Sequence, residues 1–118
     1  MQRIFVVEDD ELLREAVHLI LEQAGYFVQS TAVGGGAAAL VKRFQPHLVL
    51  LDIRLPDTTG LQVLSALRTA RHRMPIVMMT ADSRPDTVRE VMARGGNGYL
   101  VKPFEPADLV ARVRLALK

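Results

Sequence analysis

Residues 48–60 read Leu-Val-Leu-Leu-Asp-Ile-Arg-Leu-Pro-Asp-Thr-Thr-Gly: four apolar residues in a row, then an abrupt acid and a turn-forming tail. A short unbroken apolar run bounded by turn residues suits a strand that is covered on both faces. Pro56, Asp57 and Gly60 supply the turn chemistry. The strand is therefore expected inside a parallel sheet flanked by helices, with Asp52 at its carboxyl end.

The same pattern extends in both directions along the chain. Runs rich in Val, Ile, Leu and Met at 4–7, 26–31, 48–51, 76–80 and 98–101 read as strands. Between them, apolar residues recur at helical spacing. Leu12, Leu13, Ala16, Val17, Ile20 and Leu21 form one face, Leu61, Val63, Leu64 and Leu67 another. Val88, Val91 and Met92 form a third, and Leu109, Val110, Val113 and Leu117 close the chain. The remaining helix spans 37–44, and Gly34, Gly35 and Gly36 fall in the loop before it because glycine disfavours helix. Gly25, Pro46 and Pro75 punctuate the units, Asp10 caps the first helix, Ser83 or Asp86 the fourth, and Pro106 opens the last. Five strand–helix repeats with right-handed crossovers make a three-layer doubly wound α/β domain. Its ligand crevice belongs beyond the carboxyl ends of the strands.

Composition narrows the chemistry. The chain has 118 residues, of which 49% are hydrophobic and 24% charged, enough for one domain with its own core. With no cysteine, zinc–thiolate sites, thiol catalysis and disulfides are excluded. No apolar run is long enough for a secretory signal or a bilayer span, so the expected setting is the cytoplasm. Net charge is +2 and aromatics are 5%, with Asp82, Asp86, Glu90 and Asp108 interleaved among the arginines. That favours a solvated mixed surface over direct nucleic-acid binding by this domain. Met74, Met78, Met79 and Met92 read as core filler. His18, His47 and His72 lack metal-ligand spacing, and none reads as a phosphohistidine site.

Chemically capable side chains gather where the strands end. The first strand runs into Glu8, Asp9 and Asp10, the third into Asp52, the fourth ends at Thr80 and the fifth runs into Lys102. In a parallel sheet these ends share one edge. Carboxylates crowded there repel unless a cation sits among them, and Mg²⁺ is the hard ion that such oxygens suit. Lys102 adds a point charge for phosphate, and Thr80 a rotatable hydroxyl. An ionised aspartate is itself a nucleophile that forms an acyl phosphate.

V-V-E-D-D at 6–10, the run 48–60, M-M-T-A at 78–81 and G-Y-L-V-K-P-F at 98–104 together resemble the receiver domain of two-component response regulators. The similarity covers essentially the whole chain in the right order. It implies a flavodoxin-like (βα)5 fold, five parallel strands in the order 2-1-3-4-5, with residues 1–118 as one receiver domain. That domain would stand alone or form the amino-terminal part of a longer regulator. It implies Asp52 as phosphoacceptor with Lys102 and Thr80 as its catalytic partners. Mg²⁺ would be held by Asp9, Asp52, Glu8 through a water, and the backbone carbonyl of Arg54. Thr80 and Tyr99 would be the switch pair, and the Lys102–Pro103 bond would be cis. The donor would be a sensor histidine kinase, a phosphotransfer protein or acetyl phosphate. The output would be a shift of the face made by the fourth helix, fifth strand and fifth helix, controlling an effector domain or partner, or forming a homodimer. Glu8 departs from the aspartate more common in the family. Arg54 and Ala81 flank the site and are candidates for setting phosphoryl lifetime.

Two other readings compete with this one. An aspartyl-nucleophile phosphohydrolase needs a general acid two residues past the nucleophile, where this chain has Arg54. A constitutive interaction module predicts the loss of an acid, the threonine or the lysine, and all are present. The chain is therefore expected to be a switch that acts on itself, not a classical enzyme.

Overall fold

A computed structural model describes residues 1–118. In chain order the elements are β1 (Arg3–Val7), α1 (Glu11–Gln23), β2 (Phe27–Thr31), α2 (Ala37–Phe44), β3 (Leu48–Asp52), α3 (Gly60–Thr69), β4 (Ile76–Thr80), α4 (Pro85–Ala93), β5 (Gly98–Val101) and α5 (Pro106–Ala116). The strands form one parallel sheet in the order β2-β1-β3-β4-β5. Every residue of β3 and β4 is buried, as continuous apolar runs in central strands require. At the two edges only Val28 of β2 and Leu100 of β5 are buried.

Alternation along the strands divides the core into two layers. Ile4, Val6, Leu50, Val77 and Met79 face α1 and α5, meeting Val17, Leu21, Leu109 and Val113. Phe5, Val7, Val49, Leu51 and Met78 face the other way, against Val41 of α2, Val63, Leu64 and Leu67 of α3 and Val91 of α4. Truncating a fully buried leucine such as Leu50 to alanine is expected to cost about 2–5 kcal/mol.

Helix ends obey local chemistry. The Asp10 carboxylate accepts from Leu13 N at 3.1 Å and caps α1. Gly36 is the residue before α2 and holds φ at 79°, so the glycines lie outside the helix as expected. Thr59 caps α3, its hydroxyl accepting from Gln62 N at 3.2 Å. Pro106 opens α5 behind a capping box of Glu105 and Asp108.

The structure corrects three readings. Neither Ser83 nor Asp86 caps α4; Arg84 occupies that position without a side-chain cap, and the Asp82 carboxylate accepts from Arg84 N instead. Met92 is 51% exposed and is not core, since α4 buries only Val91. Leu12 is 79% exposed, because α1 turns Val17 and Leu21 inward and leaves the flank of the expected stripe in solvent.

Candidate functional site

Parallel register brings the strand ends together. Val7 of β1 lies opposite Leu51 of β3, and Asp52 opposite Met79 of β4. The residues just past β1 therefore stand beside the end of β3, which in turn neighbours the end of β4. Thr80 pairs with Val101, which sets Lys102 at the same edge. The result is an open crevice of about 710 Å³, whose lining includes Glu8, Asp9, Asp52, Arg54, Thr80 and Lys102.

Within it, Glu8 is fully buried and Asp52 nearly so, while Asp9 is exposed. One carboxylate oxygen from each lies within 4.8 Å of the others. Lys102 Nζ donates to Glu8 Oε1 at 2.6 Å and pairs with Asp52 Oδ2 at 3.2 Å. The second Glu8 oxygen accepts from Asp10 N at 3.2 Å, and Asp52 Oδ1 accepts from Arg54 N at 3.3 Å. Burial pushes the Glu8 carboxyl up to about 7, against the pull of Lys102. For Lys102 burial opposes the charge, but the hydrogen bond to Glu8 and attraction from Asp52 outweigh it and hold the ammonium above its ordinary value.

The loop after β3 is shaped by Gly60. A Cβ there would fall 2.0 Å from the Asp52 carbonyl oxygen, so only hydrogen fits. Gly60 N donates to Ile53 O at 2.6 Å, and a bridge between Arg54 and Thr59 closes the loop. At the next strand the Thr80 hydroxyl is engaged with its own turn: it accepts from Asp82 N at 2.8 Å and donates to Asp82 O at 3.3 Å. Tyr99 is half-buried against the Val91 side of the core. The Lys102–Pro103 bond is cis.

All the side chains expected at the crevice converge there except Tyr99, which packs behind it on β5. The sequence reading missed Asp82 and Arg84 as wall residues. Arg84 clasps Asp82 through Nε at 2.9 Å and Nη2 at 2.7 Å, and Thr87 Oγ1 adds 2.8 Å. Those bonds, with Arg84 first, hold the Asp82 carboxyl well below the usual carboxylate range. Their position within the turn after Thr80 was the available signal.

The donor set fits a hard divalent cation: clustered carboxylate oxygens, two of them on buried groups, with no nitrogen or sulfur ligand. A doubly wound sheet with a carboxylate crevice at its topological switch and a lysine reaching into it defines a class of phosphate- and cation-handling α/β proteins. The model of the response regulator receiver domain matches residues 4–114, and the chain belongs to that family. It is 43% identical to the DNA-binding response regulator MtrA of Mycobacterium tuberculosis, over 99% of this chain and 51% of MtrA. It is 33% identical to the cell cycle transcriptional regulator CtrA of Caulobacter vibrioides, over 98% of this chain and 50% of CtrA. The chain thus spans about half the length of these relatives. Among solved structures, the chemotaxis protein CheY4 of Vibrio cholerae superposes with a TM-score of 0.95 at 31% identity, covering 99% of both chains. The BeF3-activated N-terminal receiver domain of Klebsiella pneumoniae RstA gives 0.93 at 32% identity, again over 99% of both. Residues 4–114 are accordingly a receiver domain of two-component signalling, a family that serves phosphorylation-dependent signalling. No helix is long and apolar enough to cross a membrane.

Proposed function

We propose that Asp52 accepts a phosphoryl group from a phosphohistidine on a sensor kinase or phosphotransfer protein, or from acetyl phosphate. The observation that carries this is the Asp52 carboxylate held 3.2 Å from Lys102 Nζ, with the oxygens of Glu8 and Asp9 close by. An Asp52 oxygen attacks phosphorus, and the bond to the donor's imidazole nitrogen or acetate oxygen breaks with its electron pair on the leaving atom. The aspartate is the nucleophile as its carboxylate, so no general base is required. Asp9, Asp52, the Arg54 carbonyl and, through water, Glu8 would hold Mg²⁺. Bound there, Mg²⁺ would neutralise charge on the transferring phosphoryl group. Lys102 exchanges its contact with Asp52 for a phosphoryl oxygen, and the Thr80 hydroxyl leaves Asp82 to donate to another. Tyr99 turns inward behind it.

Release occurs when water attacks phosphorus and the bond to Asp52 breaks, regenerating the carboxylate. Arg54, exposed at the crevice wall, reaches the phosphoryl group and sets its lifetime; an unchanged dephosphorylation rate in Arg54→Ala would reject that role. The output surface is the face of α4, β5 and α5, where Val101 and Leu115 are 37% and 59% exposed. It grips an effector domain, a partner or a second copy. Residues 1–118 act as one phosphoacceptor unit in the cytoplasm, and do not themselves bind nucleic acid.

The test is acetyl phosphate with Mg²⁺, then intact mass. Wild type gains one phosphoryl group, and Asp52→Asn gains none. Equal uptake by both proteins would place the chemistry elsewhere.

A further inference from the structure

The sheet has a second edge, at the amino ends of β4 and β5. There Arg68, Arg71, His72, Arg73, Gly95 and Asn97 line a cleft of about 540 Å³ that contains no carboxylate and no apolar side chain. Both α3 and α4 end beside it, and carbonyls at helix carboxyl ends would repel an anion. Arg68 cancels that repulsion. Its Nε donates to Gly95 O at 3.0 Å and its Nη1 to His72 O and Met74 O, each at 2.9 Å. Its Nη2 donates to Asn97 Oδ1 at 2.7 Å, and Ile76 N reaches the same oxygen at 2.9 Å. With Oδ1 doubly engaged, the N–H groups of the Asn97 amide are left without an acceptor.

The sequence interleaves acids with arginines, but folding separates them. Asp82 takes Arg84, Asp86 takes Arg89, and Glu90 takes Arg94. Lys102 holds the remaining ion pairs, so Arg71 and Arg73 are exposed with no carboxylate partner. The cleft therefore keeps guanidinium and amide donors, while the Gly95 and His72 carbonyls and Asn97 Oδ1 are already engaged. The backbone adds a separate observation. Arg71 holds φ at 68°, in the turn where Arg71 N bonds Arg68 O and His72 N bonds Leu67 O. A left-handed residue ending a helix is ordinarily glycine or asparagine, so an arginine here tolerates strain that a smaller residue would relieve.

We propose that this cleft is an oxyanion site for a ligand with at least two adjacent phosphate groups, gripped by Arg71, Arg73 and the Asn97 amide above Arg68 as a fixed floor. Guanidinium groups present paired donors that match phosphate oxygens. The volume falls in the range of small-ligand sites, about 300–1,000 Å³. No Phe, Tyr or Trp lines the cleft, so guanidinium and amide donors to phosphate oxygens dominate what it offers a ligand.

The probe is inorganic pyrophosphate, titrated into the full chain at constant ionic strength without Mg²⁺ and monitored by amide spectra. Saturable shifts are expected at residues 68–73 and 95–97, with the amides of Asp9, Asp52 and Thr80 unmoved. The double variant Arg71→Asn, Arg73→Gln keeps the left-handed turn; it should hold its Tm and bind about tenfold or more weakly. Orthophosphate should bind wild type about tenfold more weakly than pyrophosphate, which tests the need for two groups. Shifts that match those caused by chloride, that persist in the double variant, or that map to the crevice would overturn the proposal. So would duplex DNA binding these residues where pyrophosphate does not.

Discussion

At the carboxyl edge of the sheet five carboxylates share a crevice with one lysine and two arginines, whereas at the amino edge three arginines and a histidine face no carboxylate at all. In the crevice Glu8 and Asp52 are buried, and each contacts Lys102. In the cleft the polar groups needing partners are backbone carbonyls, which are satisfied by Arg68 and carry no proton. The first edge should therefore respond to divalent ions and to the protonation of Glu8, and the second should respond to neither. Opposite ends of the same strands can differ this way because helices start at one edge and stop at the other.

The largest expected effect breaks the crevice. Lys102→Met leaves Glu8 and Asp52 without their cation and should cost about 3 kcal/mol at pH 8. The cost should shrink towards pH 5, where Glu8 carries a proton; urea unfolding at both values measures it. Next is Arg68→Met, which strips the carbonyls of His72, Met74 and Gly95 and should cost about 2 kcal/mol. That loss should not follow the protonation of Glu8, and a matching pH dependence in both variants would erase the contrast between the edges.

A smaller effect belongs to the wild type. Because the folded Glu8 carboxyl sits near 7 against an ordinary 4.5, the native state holds a proton that the unfolded chain has released. The contribution is thus complete below pH 4.5 and declines as pH rises towards 7. A Tm series should show that fall, and saturating Mg²⁺ should flatten it by favouring the ionised carboxyl. The smallest change is a gain: Arg71→Gly relieves the left-handed strain and should raise stability by about 0.5 kcal/mol while weakening pyrophosphate binding.

The strands were legible because a central parallel strand must be apolar on both faces, a demand that Leu48–Asp52 and Ile76–Thr80 meet up to the polar residue that ends each. The crevice was legible for a related reason: strand order places residues 8, 52, 80 and 102 at one edge whatever their side chains do. Where readings failed, the deciding contact lay outside the local pattern. Met92 fits a helical stripe, but α4 packs through Val91 and leaves its neighbour in solvent. The α4 cap was assigned to nearby acids, yet the Asp82 carboxylate is clasped by Arg84 and Thr87 around the turn. Arginine pairing was also hidden, because periodicity carries no record of which acid each guanidinium reaches.

Position 60 has a consequence for how the protein can vary. Hydrogen is the only substituent that fits against the Asp52 carbonyl, so even a methyl group eight residues along the chain must push aside the backbone of the proposed phosphoacceptor. An ångström of misplacement can slow a reaction about a hundredfold. A mutational screen would thus score this glycine as if it were part of the chemistry, although it touches no reacting atom.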